Sequence, residues 1–148
     1  MYSKQANFLA RIYWFIFRPR TRGVKCLITR SGKVLLMRNS YNPKIWNLPG
    51  GGVKRNEELE AAVRREVLEE LGLNLEQIVS LGSYESKKEY KKDTIHCFSS
   101  ELASDPSLKL SRTEIIEIKW FNLNQLPNNI STSVLKSLGY ALKESKLL

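Results

Sequence analysis

One stretch constrains this chain more than any other: Gly51 to Leu73, reading GGVKRNEELEAAVRREVLEELGL. Asn56 is a good helix N-cap, and Glu57, Glu58 and Glu60 fall in the first turn, where carboxylates favour the positive end of the helix dipole. Gly72 is a natural stop, so the pattern predicts a helix over 57–71. At about 100° per residue, Leu59, Ala62 and Val63 form an apolar stripe that would face a core. Glu66, Glu69 and Glu70 continue that stripe at i, i+3, i+4 spacing. Three anions on a core-facing arc repel one another, and burial sharpens the repulsion unless a cation shares the site. Converging glutamate oxygens are the ligands a hard cation such as Mg²⁺ prefers. For the three glutamates alone, a solvated acidic face is the alternative.

The residues upstream narrow the choice. Trp46-Asn47-Leu48-Pro49 leads into Gly50-Gly51-Gly52, and three consecutive glycines let the backbone turn sharply or approach a ligand just before a helix N-terminus. The whole segment reads G-x5-E-x7-R-E-V-L-E-E-L-G-L, with Gly51, Glu57, Arg65, Glu66, Glu69, Glu70 and Gly72 in register. It resembles the Nudix box of the Nudix hydrolases, which cleave a nucleoside diphosphate linked to another moiety.

The resemblance implies an α/β Nudix fold, an α/β/α sandwich around a mixed β-sheet. It also implies that Glu66, Glu69 and Glu70 hold Mg²⁺, with Mn²⁺ as a substitute, and that the Gly50 carbonyl and Glu114 assist. Glu69, Glu70 or Glu114 would be the general base. Arg65 and Glu57 would orient loop and helix, Gly51 and Arg38 would meet the substrate, and Gly72 would be structural. Tyr90 resembles a tyrosine of some dinucleoside polyphosphate hydrolases in the family. The implied activity is pyrophosphohydrolysis of a nucleoside triphosphate, a dinucleoside polyphosphate or a related compound, with RNA as a further substrate to test. The rival is a Nudix domain that binds nucleotide or RNA as a sensor without hydrolysing it, but its usual cue, loss of a box glutamate, is missing. The turn Val53-Lys54-Arg55-Asn56 is more basic than in many boxes, a departure that would alter the preferred phosphate chain.

With 148 residues the chain is long enough for one domain with a real core. Residues 1–56 carry twelve Lys or Arg and no acidic residue, whereas residues 57–148 carry twelve basic and fifteen acidic ones. The basic half should favour a polyanion, whether a nucleotide phosphate chain, nucleic acid or an anionic membrane surface. Cys26 and Cys97 fall in strand-like runs without metal-ligand spacing, so they read as reduced core residues of a cytoplasmic protein. Residues 1–20 form a separate apolar and basic segment ahead of a Nudix domain over 21–148. Its run Phe8–Phe17 is too short to cross a bilayer. It is expected to be a helix docked on the domain or at a homodimer interface, with association to a membrane surface as the alternative.

Val24–Thr29 and Lys33–Arg38 read as a hairpin around Ser31-Gly32, followed by a loop over 41–45 and by Trp46 as a core anchor. Two further strands, Ile78–Ser86 and Thr94–Leu102, flank a lysine-rich turn. His96, the sole histidine, reads as structural. Glu114 to Leu123 is an acidic lead into a Trp-Phe strand, with Glu117 on its exposed face. Ser131 caps a closing helix whose Val134, Leu135, Leu138 and Leu142 would pack on the sheet.

Overall fold

The computed structural model describes residues 20–88, 91–111 and 113–144. The expected N-terminal helix and Tyr90 therefore lie outside the described residues. Among the described residues seven strands form one sheet: β1 (Arg20–Arg30), β2 (Lys33–Asn39), β3 (Asn42–Asn47), β4 (Gly50–Gly52), β5 (Val79–Lys88), β6 (Lys91–Glu101) and β7 (Ile115–Asn122). The two described helices are α1 (Leu59–Leu71) and α2 (Thr132–Lys143). The main order is β3-β2-β1-β6-β5, with β4 also on β1 and β7 on β2. Only β1 and β6 run parallel among the paired strands, from Arg20↔Lys92 to Thr29↔Glu101. The sheet is therefore mixed.

Side-chain alternation on β1 divides the interior in two. Val24, Cys26 and Ile28 join Ala62, Val63, Val67 and Leu71 of α1 in one core. Leu27 points the other way, into a core with Leu36, Trp46, Leu48, Val134 and Ala141 under α2. The two helices thus cover opposite faces, which gives the expected α/β/α sandwich. Cys26 and Cys97 are buried, free thiols, and burial pushes the Cys26 thiol up to about 12.

Strand β1 bonds β2 only near the hairpin, at Thr29↔Val34 and Arg30↔Lys33. Further along the same edge its partner is β4, at Gly23↔Gly52, Val24↔Gly51 and Lys25↔Gly50. The glycine run is thereby a strand of the sheet, and it delivers the chain directly to α1.

Several expectations needed correction. Helix α1 starts at Leu59, with Glu58 at the capping position and no side-chain cap bond. Asn56 adopts φ 61°, a left-handed conformation that asparagine tolerates. The cause is Glu57: its carboxylate accepts from the Lys54 N–H at 2.9 Å and from Arg65, so residues 54–57 close a turn ahead of the helix. The stop at Gly72 holds, with φ 64° and its N–H donating to the Leu68 carbonyl. Residues 42–47 form edge strand β3 and not a loop; Pro43 fits there because an edge position can forgo one donor. The lysine-rich turn is mostly strand, with Lys87 opposite Lys92. On α2, Ser131 caps as expected, but Leu135 and Leu142 stay exposed because the core-facing side is filled by Val134, Ser137 and Ala141.

Candidate active site

Strand β4 and helix α1 build the site together. At Gly50, φ is +149° and a Cβ would lie 2.0 Å from the Val24 carbonyl oxygen, so only glycine passes. At Gly51 a Cβ would meet the Glu66 carboxyl carbon at 2.5 Å. The Glu66 carboxylate therefore rests directly on the glycine backbone.

Arg65 locks this arrangement. Its Nε and Nη2 donate to Glu57 at 2.8 and 2.9 Å, and Nη2 also donates to the Gly52 carbonyl at 2.9 Å. Its Nη1 donates to Glu66 at 2.8 Å and to Glu69 at 3.3 Å. One planar guanidinium thus spans the turn, β4 and two box carboxylates, a fork geometry that lysine lacks. The bond from Arg65 holds the Glu57 carboxyl down at about 2, and Glu57 in turn raises the Arg65 pKa.

Glu70 behaves differently. It is 4% exposed and accepts a 2.8 Å bond from the Gly50 N–H. Burial pushes its carboxyl up to about 7; the Gly50 N–H and Lys25 pull it down, while Glu66 and Glu114 push it further up. Glu69 is the box carboxylate that stays open, with its side chain 56% exposed. Among the described residues no three acidic, histidine or cysteine side chains converge as a ready-made cage, since Arg65 draws Glu66 and Glu69 while Gly50 draws Glu70. The residues nevertheless fit a divalent cation. A buried carboxylate whose ionisation is opposed by two neighbouring carboxylates is the group that a cation would relieve.

The remaining expected residues are more dispersed. Glu114 lies just before β7; its backbone carbonyl accepts from the Ser40 N–H, and its charge reaches Glu70. Arg38 pairs with Glu117, donates to the Pro43 carbonyl and lies 5.2 Å over the Trp46 ring. Trp46 is the core anchor expected, edge-on to Phe121 at 4.9 Å. His96 lies within β6, its pKa lowered by burial and then by Arg22.

Sequence reasoning missed Lys25. Its Nζ donates to the Leu48 carbonyl at 3.1 Å, and its charge acts on Glu70. The available signal was a lone cation inside the apolar run Val24–Ile28, where a buried strand should not carry one.

Comparison with known proteins agrees with this geometry. The family model described as NUDIX domain matches residues 19–138. A putative 8-oxo-dGTP diphosphatase of Bacillus subtilis (strain 168) is 29% identical over 107 residues, covering 72% of this chain and 70% of that one. An RNA pyrophosphohydrolase of Yersinia pestis (strain Pestoides F) is 37% identical over 75 residues, and that match covers 51% of this chain and 41% of the relative. The crystal structure of a MutT protein from Methanosarcina mazei Go1 superposes with a TM-score of 0.73 at 29% identity, over 87% of this chain and 97% of that one. Fold and matches together define a hydrolase acting on phosphoric anhydride bonds. The chain belongs to the NUDIX family.

Proposed function

We propose that this protein is a Mg²⁺-dependent pyrophosphohydrolase of nucleotides carrying a diphosphate or longer chain. The observation that carries the reading is Glu70: a buried carboxylate that accepts from the Gly50 N–H at 2.8 Å, on the helix face where Glu66 rests on Gly51. Relatives named for 8-oxo-dGTP and for RNA support a nucleotide substrate.

Glu66, Glu69 and Glu70 would hold the cation, helped by Gly50 and Glu114. When bound, it neutralises the diphosphate and lowers the pKa of a water molecule. Arg65 keeps Glu66 against Gly51, and Gly50 keeps Glu70 in place, so neither is free to move with a proton. Glu69 is the exposed one of the three, with a 3.3 Å contact to Arg65, and it takes the proton from the attacking water. Lys25 and the basic N-terminal half draw in the phosphate chain. Arg38 braces β2, β3 and β7 through Glu117 and Pro43.

The test is phosphate and pyrophosphate release with Mg²⁺ from a panel of nucleoside triphosphates, dinucleoside polyphosphates, nucleotide sugars and triphosphorylated RNA. Glu69→Gln should lower kcat by about 10²–10⁴-fold, while stability changes by less than about 0.5 kcal/mol because the side chain is exposed. Undiminished turnover in Glu69→Gln would move the proton acceptor to Glu114. Silence of the native protein across the panel, with binding retained in calorimetry, would leave a nucleotide-binding domain without this chemistry.

Gly51→Ala provides a second check. Its Cβ would displace the Glu66 carboxylate and disturb Arg65, while its exposed neighbour Gly52 leaves room for the backbone to adjust. Cation affinity and kcat/KM should fall by about 10–100-fold, as when partners that orient a metal ligand are lost. A folded Gly51→Ala protein with native kcat/KM would show that Glu66 need not rest on the glycine.

A further inference from the structure

Three segments far apart in the chain bring basic residues to one end of the sheet. Strand β1 begins there at Arg20, β6 begins there at Lys91 and β5 ends there at Lys88. They meet because β6 runs parallel to β1 and β5 antiparallel to β6. Lys92 is in register with Arg20 on β1 and with Lys87 on β5, so three basic positions share one level, about 5 Å apart. Lys88 stands opposite Lys91 at the next level. The turn after β4 joins them: the Val53 N–H donates to the Arg22 carbonyl at 2.9 Å, which brings Lys54 and Arg55 beside the start of β1. Residues 20–22, 53–55, 85–88 and 91–94 together hold eight basic residues and two acidic ones, Glu85 and Asp93.

Arg22, Lys54, Arg55, Lys87 and Lys92 are exposed. Among the described residues none of the five is in an ion pair. Like charges directly opposite on paired strands destabilise a sheet, and two such pairs occur here, Lys87 with Lys92 and Lys88 with Lys91. An anion from outside the chain would remove that repulsion. Strands β6 and β5 lie across β1 from β4, about 10–15 Å away. A phosphate chain held at Gly50 and Glu70 therefore leaves their lysines uncovered. Charge spread over three strands and a turn suits an extended anionic surface.

The chain that leads into Arg20 carries a matching apolar part. Residues 1–19 include Lys4, Arg11 and Arg18 and no acidic residue. The run over 8–17 is apolar but for Arg11 and includes Tyr13 and Trp14, side chains that favour the headgroup level of a bilayer. An apolar stretch too short to span a bilayer holds its surface reversibly, and a polybasic patch beside it adds a second attachment. Nucleic acid would complement the charge but not this run. We propose that this end of the sheet docks on an anionic lipid bilayer, its basic residues against the headgroup phosphates and the run over 8–17 at the apolar boundary. Lys54 and Arg55 follow β4 directly, so docking holds the candidate active site near the membrane. The inference goes beyond the hydrolase reading and does not depend on it.

The experiment is co-sedimentation of the full chain with phosphatidylcholine vesicles, with and without about 30% phosphatidylglycerol, at about 0.05 and about 0.5 M salt. The native protein should partition onto the anionic vesicles at least about tenfold better than onto neutral ones, and high salt should remove the difference. One Lys or Arg near an anionic surface is worth about fivefold in partition, so Lys87→Gln with Lys92→Gln should weaken binding about 25-fold. Lys87→Arg with Lys92→Arg keeps both charges and should bind as the native protein does. Ile12→Ser with Phe15→Ser should also weaken binding, with every lysine intact. Turnover of a soluble nucleoside triphosphate should be unchanged in the Gln pair. Equal binding to neutral and anionic vesicles would overturn the proposal, and so would native binding by the Gln pair or by the Ser pair. Lost turnover in the Gln pair would assign the lysines to the substrate instead. Binding to a single-stranded RNA probe but not to anionic vesicles would give the surface to nucleic acid, and the proposal would fail. Sedimentation needs no hydrolysis, so a failure of the hydrolase reading leaves this test intact.

Discussion

Arg65→Lys should cost kcat/KM about 10–100-fold even though it keeps the positive charge, because the residue acts through the position of its donors. Five contacts converge on this guanidinium: two to Glu57, one to Gly52, one to Glu66 and a longer one to Glu69. A lysine ammonium is a single point on a flexible stem and would satisfy Glu57 or Glu66, but not both together with the Gly52 carbonyl. Glu66 would then be released from its place on Gly51. Arg65→Leu should be worse, since it leaves two carboxylates without their cation. The Arg65 side chain is 20% exposed and those of Glu57 and Glu66 are 15% exposed. Stability should therefore fall as well, by less than the loss of a fully buried pair would cost. Urea unfolding and steady-state kinetics on the same preparations would check both parts. A Lys variant with native kcat/KM would reduce Arg65 to a source of charge.

Much of this was legible in the sequence because the box concentrates local rules. Three glycines, a stop at Gly72 and the Glu66-Glu69-Glu70 spacing each restrict the backbone without help from distant residues. The stripe of Leu59, Ala62 and Val63 marked the side of α1 that faces a core, and the sandwich followed from the likeness to the Nudix box. What escaped depends on pairings between segments far apart in the chain. Residues 42–47 form a strand because β2 offers an edge, and no propensity in Asn-Pro-Lys announces that. The start of α1 moved because Arg65, eight residues on, captures Glu57 before it can join the first turn. The partner of Arg38, Glu117, lies on a strand 79 positions away in sequence. Leu135 and Leu142 sit on an amphipathic pattern, but the helix is rotated so that small residues, Ser137 and Ala141, meet the sheet.

Glu70 gives the second large effect, and its sign separates it from ordinary acid denaturation. Its carboxyl stands at about 7 in the folded protein against 4.5 for the unperturbed group. Between those values the folded state keeps a proton that the unfolded state has lost, so stability falls as pH rises through this window. Fully developed above pH 8, the loss is about 3 kcal/mol, from roughly 1.4 kcal/mol per pKa unit. Glu57 has the opposite sign: its carboxyl is held at about 2, so its contribution is present above the unfolded value and fades only as pH falls below it. The two effects therefore occupy separate ranges. In EDTA, urea unfolding from pH 5 to pH 8 should show native stability declining relative to Glu70→Gln, a variant that keeps an oxygen for the Gly50 N–H and carries no charge. The variant should exceed the native protein by less than about 1 kcal/mol near pH 5 and by about 3 kcal/mol at pH 8. Millimolar Mg²⁺ should restore the native protein at pH 8 and leave Glu70→Gln nearly unmoved, because a cation stabilises only the state that binds it. Parallel curves for the two proteins in EDTA would mean that Glu70 is ionised at no cost in the fold. Lys25 would then suffice to neutralise it, and the argument for a cation at this carboxylate would fail.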